Sequence, residues 1–263
     1  LVGSEMCIRD SFISERIDLT NIDKYLEKRN AENPEFKFTL FHLIVAAILK
    51  TIILRPKLNR FIANKNNYQR NSYSASFVVK KQFSDTSEEG LAFIYATEGS
   101  TLDSLHEDLF KQISREKKGG AGNATSNTMD ILNKLPRWFV KFFIWLMRQL
   151  DRHGIVPKAI IEADPYYASV ILSNLGSIKL RSGYHHLTNW GTTSLFVVVG
   201  EMKERIFRNE NGEDEYRNSV DLGLTIDERL ADGYYYSKSV RLLKYILEHP
   251  ECLERPFSEP VDY

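Results

Sequence analysis

The 263-residue sequence has two cysteines, Cys7 and Cys252. That is too few for a disulfide framework or a thiolate metal site, and it suits a reducing cytoplasm, the location expected for the chain. A surplus of charge is also missing, because 35 Lys and Arg balance 35 Asp and Glu. Polyanion binding draws its affinity from counterions displaced by excess cations, so this balance argues against a nucleic-acid partner. Long apolar runs are absent as well. The two most apolar stretches, FTLFHLIVAAILKTIIL and WFVKFFIWLM, fall short of the roughly 18 to 20 uninterrupted apolar residues of a membrane span, and no signal segment opens the chain. There is no P-loop, no dinucleotide fingerprint after a strand and no G-x-S-x-G elbow.

What is present reads as an ordinary globular chain, with 43% hydrophobic and 27% charged residues, enough for one large domain or two closely packed lobes. Residues 1–10, LVGSEMCIRD, follow neither a helical nor a strand period and are read as a non-native or artefactual leader without a role, which leaves 11–263 as the domain. Ser11 to Leu19 alternates as an opening strand, and Thr20 with Asp23 starts a helix to about Ala31. A helix from Thr39 to Leu54 is apolar nearly all round and is expected at the centre of the core. The stretch from Asn66 to Ser84 alternates and pairs with Leu91 to Thr97 as strands.

Ser100 or Thr101 caps a helix to Lys117, and Lys117 to Asn127 reads as an exposed loop. A helix then starts at Pro136 and stops at Gly154. Trp138, Phe139, Phe142, Phe143, Trp145, Leu146 and Leu150 cover most of its girth, which implies burial in the core or at a subunit contact. Its cations Arg137, Lys141, Arg148 and Arg152 allow an alternative, an interfacial helix on a membrane surface. Strands at Ala168 to Leu172 and Ser194 to Glu201, a hairpin turning at Asn209 to Glu215 with its return strand from Asn218 to Ile226, and a helix from Tyr234 to Glu248 complete the chain. Intermixed strands and helices with hairpin-like pairs predict an α/β (α+β) architecture, a mixed sheet flanked by helices.

Among the six histidines, His42 lies on an apolar helix and reads as a satisfied core residue, while His106, His153 and His249 read as exposed. The adjacent pair His185 and His186 cannot by itself supply a zinc site, and no metal is expected. Two segments stand above this background. SVILSNLGSI runs from a strand into Ser173-Asn174-Leu175-Gly176, and TIDERLADG leads from a strand into Asp232-Gly233 and a helix. Both can be plain turns, with Gly176 and Gly233 supplying unusual backbone angles and Ser173 or Asp232 capping locally.

Together the two segments resemble the catalytic domain of the dihydrolipoyl acyltransferases of 2-oxoacid dehydrogenase complexes, in the superfamily of chloramphenicol acetyltransferase. That family carries a T-I-S-N-L-G-like strand and, further along, D-H-R-x-x-D-G before a closing helix. Ser173 to Gly176 match the first motif, and Asp227, Arg229, Asp232 and Gly233 match the second, with position 228 lying 55 positions after Ser173. The segment RPKLN, Arg55 to Asn59, is similar to the family's P-x-L-N. The resemblance spans roughly Ser11 to Leu253. It implies a homotrimer whose active site lies at a subunit interface and is reached by coenzyme A, with acyl-coenzyme A as donor and a small thiol, hydroxyl or amine as acceptor. It further implies a hydroxyl near Ser173 that stabilises the tetrahedral oxyanion, an Asp232 that sits in an ion pair and positions the loop, and coenzyme A contacts around Asn174, Gly176 and Gly233.

This chain departs from the pattern where the family has its catalytic His, because position 228 is Glu. A coenzyme A thiol near ~8.5 is about 4 units above an ordinary Glu near ~4.3, but about 2 above a His near ~6.5. The difference is roughly 3 kcal/mol, or about a hundredfold in the deprotonation equilibrium. Weak, altered or lost transfer is therefore expected, with a non-catalytic oligomeric binding protein or scaffold as the alternative. The loop SGYHHLTNWGTTS, from Ser182 to Ser194, offers His185 and His186 as substitute bases or ligand contacts. A second departure is that no lipoyl domain or linker-like Ala/Pro-rich sequence precedes Ser11, so the chain reads as a stand-alone member.

Overall fold

The computed structural model describes residues 9–80, 89–117, 136–209 and 211–263. The described residues form nine strands and six helices. In chain order these are β1 (Asp10–Asp18), α1 (Thr20–Asn30), α2 (Leu40–Leu54), β2 (Arg60–Ala63), β3 (Asn66–Gln69), β4 (Tyr73–Lys80), β5 (Glu89–Ala96), α3 (Leu102–Lys117), α4 (Arg137–His153), α5 (Lys158–Ala163), β6 (Val170–Asn174), β7 (Leu195–Val199), β8 (Lys203–Arg208), β9 (Asp214–Asp227) and α6 (Gly233–Glu248). The main sheet runs β1-β9-β7-β6-β4-β5, and β8 continues the β7 edge of the long β9 strand. The β4–β6 and β6–β7 pairs are parallel and the rest antiparallel, so the sheet is mixed as expected.

Side-chain alternation gives the sheet two unlike faces. Ile13 and Ile17 of β1, Leu222, Leu224 and Ile226 of β9, Val197 of β7 and Leu172 of β6 join α1, α2, α3 and α6 in the main core. Their neighbours in sequence face the other way. There Ile171, Phe196 and Val198 form a smaller cluster with Leu187, which belongs to the loop 179–193. This loop lies flat on the sheet because two glycines let backbone approach backbone. A Cβ on Gly223 would stand 2.1 Å from the Gly183 carbonyl oxygen, and one on Gly200 would stand 2.5 Å from the Ser182 nitrogen.

Helix α2 is as central as its sequence demands, with every residue from His42 to Ile53 buried. Even Lys50 is 1% exposed, its ammonium donating to the carbonyls of Cys252 at 2.9 Å and Pro256 at 3.0 Å. Thr39 caps the helix, and the His42 Nδ1 accepts from the Thr39 N–H at 3.3 Å, so the satisfied core histidine is borne out.

The helix read as buried in the core or at a subunit contact is not in the core of the chain, for no residue of α4 is buried. Its start after Pro136 and its stop at Gly154, in the left-handed region at φ 71°, are as read. The alternating stretch from Asn66 also divides differently. Its first part pairs with β2 as a separate hairpin turning at Asn64 and Lys65, both left-handed, and its second part is β4 in the main sheet. Two histidines read as exposed are half-buried: His106 stacks on Phe38 at 3.7 Å and His249 on Tyr245 at 4.1 Å. The loop read at Lys117 to Asn127 lies, past Lys117, outside the described residues. No described helix is long and apolar enough to cross a membrane.

Candidate functional site

The turn after β9 is built from three consecutive residues with unlike tasks. Asp227 is 3% exposed and bonded on both carboxylate oxygens to Arg229, at 2.8 Å from Nε and 2.6 Å from Nη2. A paired, two-point contact of this kind fixes direction as well as charge, and it holds the Arg229 guanidinium above its ordinary value. Tyr236 on α6 donates its hydroxyl to the Asp227 carbonyl at 2.6 Å, and burial pushes that phenol up. The Glu228 N–H donates to the Arg9 carbonyl at 2.9 Å. With both neighbours pinned, Glu228 is exposed and projects into a cleft of about 390 Å³ lined also by Ser11, Glu15, Gly233, Ser237 and Arg241.

Asp232 is not the ion-paired member of this turn. Its side chain accepts from the Tyr235 N–H at 2.8 Å and caps α6, while Asp227 takes the ion-pair role the resemblance had implied for it. The short Asp227–Arg229 separation closes the pair within the turn, and the capping position is where a carboxylate meets free N–H groups. Asp232 lines a second cleft of about 600 Å³, on the other side of the α6 N-terminus, with Arg55, Lys57, Lys238, Tyr235 and Tyr263. The Arg55 guanidinium lies 3.9 Å over the Tyr235 ring and the Lys57 ammonium 4.9 Å over the same ring.

Ser173 alternates with the core residue Leu172 and stands, half-buried, on the loop-covered face of β6. Asn174 is exposed, accepts from the Ser177 N–H at 3.3 Å, and caps the single turn Leu175–Ile178. Gly176 is required by contact rather than by backbone angle, since a Cβ there would lie 2.5 Å from the Gly200 carbonyl oxygen. Gly233 has open space around it, and neither glycine has a positive φ, so the expectation of unusual angles at both fails. The turns are closed instead by Lys179, left-handed at φ 59°, and by the Asp232 cap.

The structure separates the two motifs within one chain. Ser173 pairs with Val198, and Val198 with Gly223, five residues before Glu228. Two strand spacings and five strand residues give roughly 19 Å between Ser173 and Glu228. The loop histidines sit on the Ser173 face of the sheet. His186 Nδ1 lies 3.0 Å from the Asp10 carboxylate, and the Leu187 N–H donates to the same oxygen at 3.0 Å, while the imidazole remains exposed. His185 stacks on Phe196 at 4.4 Å, and its Nδ1 meets the His186 carbonyl at 2.9 Å.

Sequence reasoning missed three members of this neighbourhood. Arg9 and Asp10 fall in the segment given no role, yet β1 begins at Asp10, and Arg9 donates to the Thr188 carbonyl at 2.7 Å and to Asn189 at 3.0 Å. Thr225 is fully buried under the loop, between Phe12 and Phe196 in register, and its hydroxyl finds no partner among the described residues. The strand pattern marks Thr225 only as a polar residue in an apolar run. Among the described residues no group of three or more His, Cys, Asp or Glu side chains is placed to hold a metal ion.

No protein-family model matches the chain, and no curated protein matches it. Solved structures do. A probable dihydrolipoamide acetyltransferase from Listeria monocytogenes superposes with a TM-score of 0.63 at 14% identity, over 92% of this chain and 85% of that one. The cubic core of a pyruvate dehydrogenase multienzyme complex gives 0.65 at 13% identity, over 94% and 84%. A chloramphenicol acetyltransferase gives 0.53 at 11% identity, over 91% and 88%. The chain has the chloramphenicol acetyltransferase-like fold. In this fold the strand end at Ser173 and the turn after β9 lie two strands apart and at opposite ends of the sheet along the strand direction, so the distance between them follows from the topology.

Proposed function

We propose that the protein is a coenzyme-A-dependent acyltransferase-like trimer whose transfer activity is weak or altered by Glu228. The observation that carries this reading is the turn itself. The Asp227–Arg229 pair, the Tyr236 hydroxyl and the Asp232 cap hold the backbone on both sides of the exposed Glu228. Within the D-H-R-x-x-D-G pattern the exchanged residue is the one at this held and exposed position. The roughly 19 Å between Ser173 and Glu228 requires two copies if both act on one acyl group, which supports an assembly that places the strand end of one copy against the turn of another.

In the reaction the acceptor's oxygen, nitrogen or sulfur attacks the thioester carbonyl. The new acyl bond forms and the carbon–sulfur bond of the thioester breaks. The acceptor's proton passes to a base and then to the departing coenzyme A sulfur, while a hydroxyl such as that of Ser173 steadies the oxyanion. Arg55, Lys57 and Lys238 in the cleft beside Asp232 suit the phosphates of the donor. A second candidate base rests on its own observation: His186 is held at Nδ1 by Asp10, which leaves Nε2 outward, the arrangement of an oriented general base.

Titration calorimetry with acetyl-coenzyme A and free coenzyme A, paired with thiol release against amine, hydroxyl and dihydrolipoamide acceptors, tests the reading. Binding with slow turnover that Glu228→His raises by about a hundredfold is the expected result. Turnover lost in His186→Ala and kept in Glu228→Gln assigns the base to the loop. Binding without turnover in every variant supports the non-catalytic alternative, and no binding overturns both.

A further inference from the structure

Helix α4 is the most strongly amphipathic of the long described helices, yet its apolar face meets no core. Trp138 is 70% exposed, Phe142 53% and Trp145 55%. They follow one another at spacings of four and three residues and so form one ridge along the helix. Arg137, Lys141, Arg148 and Arg152 are all exposed and recur at spacings of four, seven and four. They form a second ridge, turned roughly 80° from the first at 100° per residue. Val140, Phe143, Met147 and Leu150 lie on the remaining side and are partly covered.

We propose that α4 seats the protein on an anionic phospholipid surface, with the Trp138–Phe142–Trp145 ridge in the boundary between headgroups and acyl chains and the cationic ridge against the phosphates. Indole rings favour that boundary because one edge is polar and the body apolar. Lys and Arg beside them can bury their stems and keep their charges at headgroup level. The charge pattern selects this occupant over a second α4 helix packed against the first. The one carboxylate on the helix, Asp151, accepts from the Tyr167 hydroxyl at 2.6 Å and from the Gly191 N–H at 3.3 Å, so it is spent on the body of the protein. A second α4 would bring another cationic ridge and no acidic counterpart, whereas an anionic bilayer matches the ridge along its whole length.

The same contacts explain how the helix could be held at the surface. The Arg152 carbonyl accepts from the Asn64 N–H at 3.0 Å, so the last turn is tied to the β2–β3 hairpin and, through Asp151, to the loop that carries His185 and His186. The inference is independent of acyl transfer, and its readout needs no coenzyme A.

The test is co-sedimentation of the full chain with vesicles of phosphatidylcholine containing phosphatidylglycerol, and with phosphatidylcholine alone. Tryptophan emission is followed in both, with brominated acyl chains as a quencher. The expected result is binding to the anionic vesicles, weakened by salt, with a blue shift and quenching. Lys141→Gln with Arg148→Gln lowers the affinity about thirtyfold. Trp138→Ser, Phe142→Ser and Trp145→Ser together abolish binding while the circular dichroism melt stays as in the parent. Failure to bind anionic vesicles at low salt overturns the proposal, as does binding unaffected by the aromatic substitutions. So does a lipid-free fall in oligomer mass caused by those substitutions in a parent that ignores vesicles, because the face is then a contact between copies.

Discussion

Helices α2 and α4 are of similar length, 15 and 17 residues, and both carry large apolar side chains at most positions, yet α2 is buried from His42 to Ile53 and α4 has no buried residue. Apolar content therefore does not decide burial here. In α2 the single cation, Lys50, finds two backbone carbonyls. A buried charge that is hydrogen-bonded in this way is tolerable, whereas four cations on one flank of α4 would each need such partners. The arrangement of charge, and not the count of aromatic rings, keeps α4 outside.

The largest expected effect tests that contrast directly. Leu49 is fully buried on α2, so Leu49→Ala leaves a cavity and costs about 2 to 5 kcal/mol. Phe142→Ala on α4 removes a larger side chain but stays within about 0.5 kcal/mol of the parent. Urea midpoints of the two variants at one pH are the measurement. Equal losses would show that α4 is covered in solution by something as dry as the core.

Acid sharpens the comparison next. Burial first, and then the neighbouring His106, push the His42 imidazole down to about 4. The unfolded chain takes up a proton near pH ~6.5, where the folded chain cannot, so stability is fully present above that pH. It declines as the pH falls, and the loss levels off near pH 4 at about 3 kcal/mol. His106, also pushed down by burial, adds in the same direction. Replacing His42 with Asn should flatten the difference between unfolding midpoints at pH 7 and pH 5, even if the variant is less stable throughout. An unchanged slope would place the acid-sensitive group elsewhere.

The residues that could be read in advance were those whose pattern is local. The α2 stripe, the Gly154 stop of α4, the β8–β9 hairpin and the alternation of β4 each follow from neighbours within one or two turns of chain. The fold followed from two short motifs in order, but their geometry did not. The letters D-E-R-x-x-D-G do not say which aspartate pairs with Arg229, because Asp227 and Asp232 are both in reach by sequence, and only the cap on Tyr235 removes Asp232. The Asp10–His186 contact joins residues 176 positions apart, and the loop 179–193 is seated by Gly200 and Gly223 from two other segments. The β2–β3 hairpin was hidden because its turn uses Asn64 and Lys65 where Asn-Gly is the usual signal.

The smallest effect concerns the end of α4, where the exposed helix joins the rest of the protein. Gly154 has φ 71°, and a Cβ there would stand 3.3 Å from the Ala63 Cβ. An alanine at this position must hold a left-handed backbone and crowd the hairpin, which costs about 1 kcal/mol. The cost should stay local, because the bonds that moor α4 run through Asp151 and Arg152 to Tyr167, Gly191 and Asn64, and none of these reaches α2. Hydrogen exchange resolves the two helices: in Gly154→Ala the last turn of α4 should exchange faster and α2 should not. Faster exchange in both would mean that the outer helix and the core open together, and that the loop carrying His186, which shares the Asp151 contact, is coupled to the stability of the whole domain.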